Sequence, residues 1–443
     1  MRVLVLVDGE HYPPVTRWGI ASARTMGYEV LAALFVGGAE KIASGPLPNL
    51  GVDVLDARED PMAALAAAIE EREPEGVLDL SDEPVLGYRD RMRLASVALR
   101  GGVAYVGSDF RLDAPRWGPS LPVPSVGVIG TGKRTGKTAL AAELARAAGR
   151  AGRRPVIVAM GRGGPPAPQV ADPKDLTVER LVEVARAGEH AASDYLEDAL
   201  FAGVPAVGAR RCGGGLAGRA FVTNGAEAVQ VALGLGADLV ILEGSGSSMP
   251  PLLWDAGVLV APATVPEEHV AGYLGPLRIL LTDLFVVTMA NGPSTGPDLL
   301  SLRSHVRAVK PDAGFVVTDF EPDPLGDVEG KTVFLTTTAP GKVAGRQAKR
   351  LERSSGCRIA GVSGKLADRA GLRADLAAAP EYDVLVTELK GAAVDVACED
   401  ALARGAEVVF MQNRPVSVPG EEELATALEK TVEMAVDRYG QRR

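Results

Sequence analysis

The chain has 443 residues and a mass of 46.0 kDa, and 47% of the residues are apolar while 23% are charged. This length predicts about two to four domains at ~100–200 residues each, and the composition excludes a disordered chain, a collagen-like repeat and a disulfide-dense miniprotein. The net charge of −10, from 47 Lys and Arg against 57 Asp and Glu, argues against a general nucleic-acid binder, because a phosphate backbone requires a basic face. We expect no nucleic-acid partner, and we expect any small anionic substrate to be held by a local cluster of Arg and Lys.

The first 112 residues alternate short apolar runs with helical patterns. Strands are predicted at residues 3–7, 30–35, 52–55, 76–80 and 103–106, and helices at residues 16–26, 62–72 and 89–100. Continuous apolar strands that alternate with helices indicate parallel βαβ units with helices on both faces of the sheet. Residues 1–112 are therefore predicted to form a Rossmann-like α/β domain.

A proline-rich stretch interrupts this pattern. Pro115, Pro119, Pro122 and Pro124 fall within residues 113–124. Proline continues neither a strand ladder nor a helix interior, so this stretch is predicted to be a linker.

The rest of the chain repeats the α/β alternation in two further regions. Residues 125–310 are predicted to form a P-loop nucleotide-binding α/β domain with strands at 125–129, 155–160, 238–242, 258–260 and 284–288, and helices at 138–148, 176–187 and 193–201. Residues 311–443 are predicted to form a C-terminal α/β region with strands at 313–318, 333–337, 383–387 and 407–411 and a last helix at 421–438. The predicted class is α/β throughout.

A glycine-rich turn, GTGKRTGKT at residues 130–138, follows the strand SVGVI and opens the helix TALAAELARAAG. This is the context that a phosphate-binding loop requires, since its backbone N–H groups and the helix N-terminus cradle phosphate oxygens. Lys137 is expected to reach the β- and γ-phosphates, and the Thr138 hydroxyl to hold Mg²⁺. The predicted nucleotide-binding residues in the loop are Gly130, Thr131, Gly132, Thr135, Gly136, Lys137, Thr138 and Ala139.

The spacing of this loop differs from the usual GxxxxGK[ST]. Gly130 lies one residue too far from Gly136, and Gly132 lies one residue too near. The alternative is a glycine-rich strand–helix turn without a ligand. Lys133 and Arg134 lie inside the loop and either add positive charge near the transferring phosphoryl group, as catalytic candidates beside Lys137, or face solvent.

The loop GT-xxxx-GKT is similar to that of dethiobiotin synthetase and its ATP-dependent ligase relatives, and a second match follows in DLVILEGSG at residues 238–246. That family carries an apolar strand ending in Glu-Gly-x-Gly, which implies that Glu243 binds Mg²⁺ directly or through water. The alternative is an ordinary acidic strand end. A third carboxylate, Asp172 or Asp175, is a candidate to complete the metal site, and Asn291 is a candidate for adenine recognition by the same resemblance.

The complete string VIGTGKRTGKTA, placed after an N-terminal α/β domain in a chain of this length, resembles the cyclic 2,3-diphosphoglycerate synthetase family. The resemblance implies an ATP- and Mg²⁺-dependent ligase that closes 2,3-diphosphoglycerate into an intramolecular phosphoanhydride and releases ADP and phosphate. The alternatives are a 2-phosphoglycerate kinase and a nucleotide-switched ATPase of the partitioning or metal-insertion type. Dimerisation is common for this loop class, so a homodimer is expected.

Such a substrate carries several negative charges, and guanidinium groups bind phosphate with both charge and geometry. Three places qualify as substrate-binding candidates. Arg210 and Arg211 precede three glycines in what is predicted to be a basic loop; Arg89 and Arg91 follow the strand at 76–80; and His11 and Arg17 follow the first strand. The alternatives are a flexible basic loop and a solvated helix face.

The sequence predicts a soluble, cytoplasmic protein without a membrane partner. The three cysteines, Cys212, Cys357 and Cys398, have neither metal-ligand spacing nor the pattern of a disulfide framework. The N-terminal strand runs directly into polar residues, unlike a signal peptide. The apolar stretch at residues 277–290 is interrupted by charge and is too short to span a bilayer.

Overall fold

The computed structural model describes residues 1–38, 46–290 and 298–443. Its first sheet has six strands in the order β3-β2-β1-β4-β5-β6, parallel except for β6. The elements are β1 (Arg2–Val7), α1 (Pro13–Thr25), β2 (Glu29–Phe35), β3 (Val54–Asp56), α2 (Pro61–Arg72), β4 (Gly76–Asp79), α3 (Tyr88–Arg100), β5 (Ala104–Val106) and β6 (Arg111–Leu112). The predicted parallel βαβ arrangement of this region is confirmed.

In the second sheet, the first strand in chain order is β7, which leads into the glycine-rich loop and lies between β12 and β13. Its elements up to residue 309 are β7 (Ser125–Gly130), α4 (Lys137–Arg150), β8 (Pro155–Gly161), β9 (Gln169–Ala171), α5 (Val178–Arg186), α6 (Asp194–Ala202), β10 (Ala206–Cys212), β11 (Val222–Thr223), α7 (Gly225–Gly234), β12 (Leu239–Glu243), β13 (Ala256–Pro262), α8 (Glu268–Ala271), α9 (Gly275–Leu280), β14 (Leu284–Thr288) and α10 (Leu299–Val309). Strands β10, β8, β12, β7, β13 and β14 are parallel neighbours in that order, and most of their residues are buried because helices cover both faces.

The remaining elements extend the same sheet to 13 strands. They are β15 (Gly314–Pro324), β16 (Thr332–Thr336), α11 (Gly341–Ser355), β17 (Arg358–Ser363), α12 (Arg369–Ala377), β18 (Val384–Thr387), a π-helical stretch (Ala393–Cys398), α13 (Glu399–Ala403), β19 (Glu407–Ser417) and α14 (Leu424–Gln441). The order after β14 is β15-β19-β18-β16-β17, with β19 antiparallel to β15 and parallel to β18.

Strand β15 joins two halves of this sheet end to end: the P-loop half, from β7 to α10, and the C-terminal half, from β16 to α14. Its first residues, 314–317, pair with β14, while residues 318–324 continue past the end of β14 and pair with residues 411–417 of β19. The first residues of β19, 407–410, pair with β18. The strands of the C-terminal half therefore run back toward the P-loop half, and the carboxyl ends of the two sets of strands face each other.

The proline-rich stretch is packed rather than free. The Gly118 N–H donates to the Pro251 carbonyl at 2.8 Å, the rings of Trp117 and Trp254 meet edge to face at 5.7 Å, and Leu121 is buried. Likewise α14, in the predicted C-terminal region, packs on α4, β7 and β13 of the P-loop half. The predicted domain boundaries stay predictions.

Helix α3 docks the first sheet on α9 of the second. Arg100 Nε at the end of α3 donates to the Leu280 carbonyl at the end of α9, at 3.2 Å. Both helices run from the carboxyl side of their sheet back to its amino side, so this hydrogen bond joins the amino sides of the two sheets. Among the helices of the described residues, none is long and apolar enough to cross a membrane.

Candidate active site

The glycine-rich loop leaves β7 at Gly130 and enters α4 at Lys137. It is anchored on both sides, since the Thr131 N–H donates to the Val260 carbonyl at 3.2 Å and the Thr288 hydroxyl donates to the Thr135 carbonyl at 2.7 Å. Gly136 caps α4 with a φ of +97°, a left-handed conformation that glycine adopts without strain. The loop is thus held with its helix N-terminus at the carboxyl edge of the sheet.

Lys137 folds back into its own loop. It is 7% exposed, and its Nζ lies 3.1 Å from the Gly132 carbonyl oxygen and 3.5 Å from Thr135 Oγ1. Burial lowers the pKa of Lys137, and the Glu243 carboxylate opposes that shift. These two loop oxygens are uncharged acceptors. A phosphate bound in the loop would give the Lys137 ammonium an anionic partner.

Lys133 and Arg134 are exposed on the loop, where Arg134 has a φ of +59°. Arg134 and Gly136 are the two residues of the loop with a left-handed backbone. The catalytic role of the two exposed cations stays a prediction.

Thr138 and Glu243 lie together, as the resemblance implied. The Thr138 hydroxyl donates to Glu243 Oε1 at 3.1 Å. Glu243 ends β12, which lies between β7 and β8, and is 4% exposed. Its second oxygen, Oε2, has no hydrogen-bond donor among the described residues.

Asp198 is a site residue that the sequence reasoning missed. It lies on α6, is fully buried, and its carboxyl group lies within hydrogen-bonding reach of that of Glu243, while neither of its oxygens receives a donor from the described part of the chain. Burial and the facing carboxylate raise the pKa of Asp198, and burial raises that of Glu243. The signal was present in DYLEDALFA, where acids at positions 194, 197 and 198 share one face of an otherwise apolar helix.

This donor set fits Mg²⁺. The Thr138 hydroxyl and the carboxylates of Glu243 and Asp198 supply hard oxygen donors with unused lone pairs in one place. No three His, Cys, Asp or Glu side chains in the described ranges are arranged to hold a metal by themselves. Mg²⁺ is typically bound by one or two carboxylates with phosphate and water completing the shell, so a nucleotide would complete this site.

The structure corrects the third predicted carboxylate. Asp172 follows Ala171, which pairs with Ala206 at the start of β10, at the opposite end of that strand from Cys212. Its carboxylate instead caps the short turn at Pro173–Asp175 by accepting the Lys174 N–H at 3.0 Å. Asp172, and with it Asp175, is therefore on the amino side of the sheet, away from Thr138.

The paired arginines also differ from expectation, because they lie on strand β10 rather than in a loop. Successive strand residues face opposite sides of the sheet, so Arg210 and Arg211 do not point toward the same place. Arg211 is 9% exposed and donates to the Ser245 carbonyl at 2.9 Å, close to Glu243 in the chain. Arg210 is exposed and donates to the Gly164 carbonyl at 2.6 Å. Burial, and then the Arg162 charge, lower the pKa of Arg211.

Two of the N-terminal candidates face carboxylates at the carboxyl ends of the neighbouring strands β1 and β4. His11 Nδ1 lies 3.1 Å from Asp8 Oδ1, and Arg91 Nε lies 3.7 Å from Asp79 Oδ2. The substrate role of His11 and Arg91 stays a prediction.

The other two N-terminal candidates, Arg17 and Arg89, have different surroundings. Arg17 donates to the Asn49 carbonyl at 2.7 Å, and Arg89 is exposed on the first turn of α3. Asn291, predicted to read adenine, lies outside the described residues.

Comparison with known proteins settles the family. Models of three domains of cyclic 2,3-diphosphoglycerate synthetase match the chain in order: the N-terminal domain at residues 2–113, the P-loop domain at 125–319 and the C-terminal domain at 324–414. The chain belongs to the cyclic 2,3-diphosphoglycerate synthetase family. It is thus a synthetase-type enzyme with a nucleotide-binding P-loop, as the sequence predicted.

Relatives of that name align over nearly the whole chain. The cyclic 2,3-diphosphoglycerate synthetase of Rubrobacter xylanophilus is 46% identical over 94% of this chain and 95% of its own length. That of Pyrococcus abyssi is 44% identical over 99% of each chain, and that of Methanothermobacter thermautotrophicus is 39% identical over 100% of this chain and 98% of its own. Among solved structures, LpxK from Aquifex aeolicus in complex with ATP aligns with a TM-score of 0.40 at 12% identity, covering 72% of this chain and 90% of that chain.

Proposed function

We propose that the protein uses ATP and Mg²⁺ to close 2,3-diphosphoglycerate into cyclic 2,3-diphosphoglycerate, with release of ADP and phosphate. The observation that carries the proposal is the contact of Thr138 with Glu243, beside Lys137, in a chain that matches the synthetase family along its length. A nucleotide's terminal phosphates and a divalent cation would meet at this contact.

The substrate supplies its own nucleophiles, so the protein's work is positioning and charge neutralisation. An oxygen of one substrate phosphate attacks the γ-phosphorus of ATP, and ADP leaves. An oxygen of the second substrate phosphate then attacks the activated phosphorus, the ring closes and inorganic phosphate leaves.

Each loop residue has a distinct part in this scheme. Lys137 moves from the Gly132 carbonyl onto the β- and γ-phosphate oxygens, and the loop N–H groups hold the same phosphates. Thr138, Glu243 and Asp198 would hold Mg²⁺, which would neutralise phosphate charge when bound. Arg211, fixed by Ser245 near Glu243, supplies a guanidinium to the polyanionic substrate.

The test is incubation of the purified protein with ATP, Mg²⁺ and 2,3-diphosphoglycerate, followed by ³¹P NMR and separate assays of ADP and phosphate. The proposal predicts equal amounts of ADP, phosphate and a cyclic product. In a parallel incubation with 2-phosphoglycerate as the substrate, formation of ADP and 2,3-diphosphoglycerate without free phosphate would indicate the kinase instead. Phosphate release that does not depend on phosphoglycerates would indicate a nucleotide-switched ATPase.

A further inference from the structure

The C-terminal half presents its carboxyl edge to the P-loop half. Strand β18 ends at Thr387 and β16 at Thr336, and both point toward the edge where β7 enters the glycine-rich loop, because β15 and β19 reverse the strand direction between the halves. In parallel sheets, ligands bind at carboxyl edges. Two such edges here face one space.

A rigid polar network lines the C-terminal edge. Glu388, directly after β18, is 3% exposed and accepts the Thr337 hydroxyl at 2.7 Å, the Thr338 N–H and hydroxyl at 2.9 and 2.8 Å, and the Asn413 amide at 2.7 Å. These four donors satisfy the carboxylate and fix the positions of the residues that follow β18. Lys390 lies two residues after Glu388, so its backbone follows a residue whose side chain is held by four hydrogen bonds.

Lys390 crosses the space between the halves. Its Nζ lies 3.1 Å from Glu197 Oε1 on α6, and Glu197 is the neighbour in sequence of Asp198, which faces Glu243. The ammonium is thus bonded to the residue that precedes Asp198 on α6. Its side chain is 41% exposed, whereas that of Glu197 is 7% exposed.

Lys390 has N–H donors left over for a ligand. An ammonium has three N–H donors, and among the described residues Glu197 is the carboxylate that it is shown to bond. The charges of Glu388 and Asp194 also act on Lys390, so a phosphate would have to compete with three acidic groups. Another cation that bridges the halves, Arg414, binds Glu143 at 2.8 Å, and Glu143 Oε1 also binds Arg146 at 3.2 Å. That cluster is a mutual ion-pair network, whereas Lys390 is half-exposed at the space between the edges.

We infer that Lys390 is a substrate-binding residue whose ammonium takes a phosphate group of the diphosphorylated acid, exchanging its contact with Glu197 for that phosphate. The inference deepens the proposed function and rests on it. It assigns the C-terminal half the task of holding one substrate phosphate while the P-loop half holds the nucleotide. An ammonium binds phosphate as a point charge through charge-assisted hydrogen bonds.

The test compares wild type with Lys390→Met, Lys390→Arg and the control Lys331→Met. Lys331 pairs with Glu407 at 2.6 Å at the amino ends of β16 and β19, so it is a lysine–glutamate pair on the same half but at the far edge. Steady-state constants are measured for both substrates, and thermal shifts are measured with 2,3-diphosphoglycerate alone. The thermal shift reports substrate binding without turnover.

The expected result is a KM for 2,3-diphosphoglycerate raised about tenfold or more in Lys390→Met, as for loss of a charged hydrogen bond, with the KM for ATP unchanged. Lys390→Arg recovers part of the affinity, the thermal shift shrinks in parallel, and Lys331→Met behaves as wild type. A lower melting temperature with unchanged KM, or an equal loss for both substrates, overturns the inference by showing only a structural ion pair. If the wild type itself forms no cyclic product, the proposed function has failed instead.

Discussion

Gly136 lies directly under the ring of Phe320: a Cβ atom added to Gly136 would come within 2.6 Å of it. Phe320 belongs to the part of β15 that passes into the C-terminal half. The glycine-rich loop is therefore shaped by two constraints, its own left-handed φ and a side chain from the strand that joins the halves.

Gly136→Ala tests these two constraints separately. We expect it to destabilise the protein by about 1–2 kcal/mol and to weaken ATP binding, since alanine is strained at this φ and also meets the ring. Phe320→Ala in the same chain should restore only the part due to the contact, as a double-mutant cycle of chemical unfolding measures. Gly149→Ala is the matched control on the same helix, because a Cβ there meets nothing within 4 Å. It should be neutral or stabilising, and equal losses at both glycines would contradict the assignment.

Lys137→Ala should lower kcat at least about 100-fold while leaving the fold intact. The ammonium bonds only loop oxygens in the described structure, and burial already lowers its pKa, so its removal eliminates a buried charge rather than a packing contact. Phosphate release and thermal melting measure the two effects. Lys430→Ala, on the surface of α14 beside Glu422, is the control and should leave turnover unchanged. Normal turnover by the Lys137 variant would rule out the nucleotide site.

Glu243→Gln should raise the Mg²⁺ concentration needed for half-maximal phosphate release by about tenfold or more, since an amide is a weaker ligand than a carboxylate. Mn²⁺ binding followed by electron paramagnetic resonance gives a second readout that does not depend on turnover. Asp172→Asn is the control, because Asp172 lies at the opposite side of the sheet. A metal requirement that shifts with Asp172 and not with Glu243 would reverse the placement of the metal.

Asp283→Asn should loosen the docking of α14. Burial alone would raise the pKa of Asp283, but its bonds to Arg438 and Lys310 override that effect and lower it. A lowered pKa means that the stabilisation is present above the unfolded value of 3.8 and disappears as the pH falls through the lower folded value. The loss at pH 7 should approach, without reaching, the ~3–5 kcal/mol of a fully buried pair.

Urea unfolding of Asp283→Asn and wild type between pH 7 and pH 2 checks this sign. The two curves of stability against pH should converge at the acid end. The exposed Asp437→Asn on α14 should follow wild type throughout. A difference that grows toward low pH would contradict the ion-pair explanation.

Local sequence signals were sufficient for part of the site. The loop from Gly130 to Thr138 and the strand ending at Glu243 are each encoded within a dozen residues, and the structure brings Thr138 and Glu243 into contact. Parallel strands with apolar runs were predicted for the same reason, since a strand covered on both faces reads as continuous hydrophobic sequence.

The other contacts depend on tertiary structure. Asp198 is an ordinary helix acid until α6 packs its face against β8 and brings it to Glu243. Arg210 and Arg211 were predicted to lie in a loop because a charged pair followed by glycines is typical of loops, but both residues belong to the end of β10. Lys390 is 193 positions from Glu197 in the chain (390 − 197), so no local pattern links them.

The ribbon formed by β15 and β19 has a mechanical consequence. Strands β15 and β19 are hydrogen-bonded to each other from Thr318 to Pro324 of β15. Moving the glycine-rich loop away from Lys390 therefore requires this paired ribbon to bend, whereas a flexible linker would let the two halves rotate freely. Any opening or closing between the two halves is then a flexing of this two-stranded ribbon.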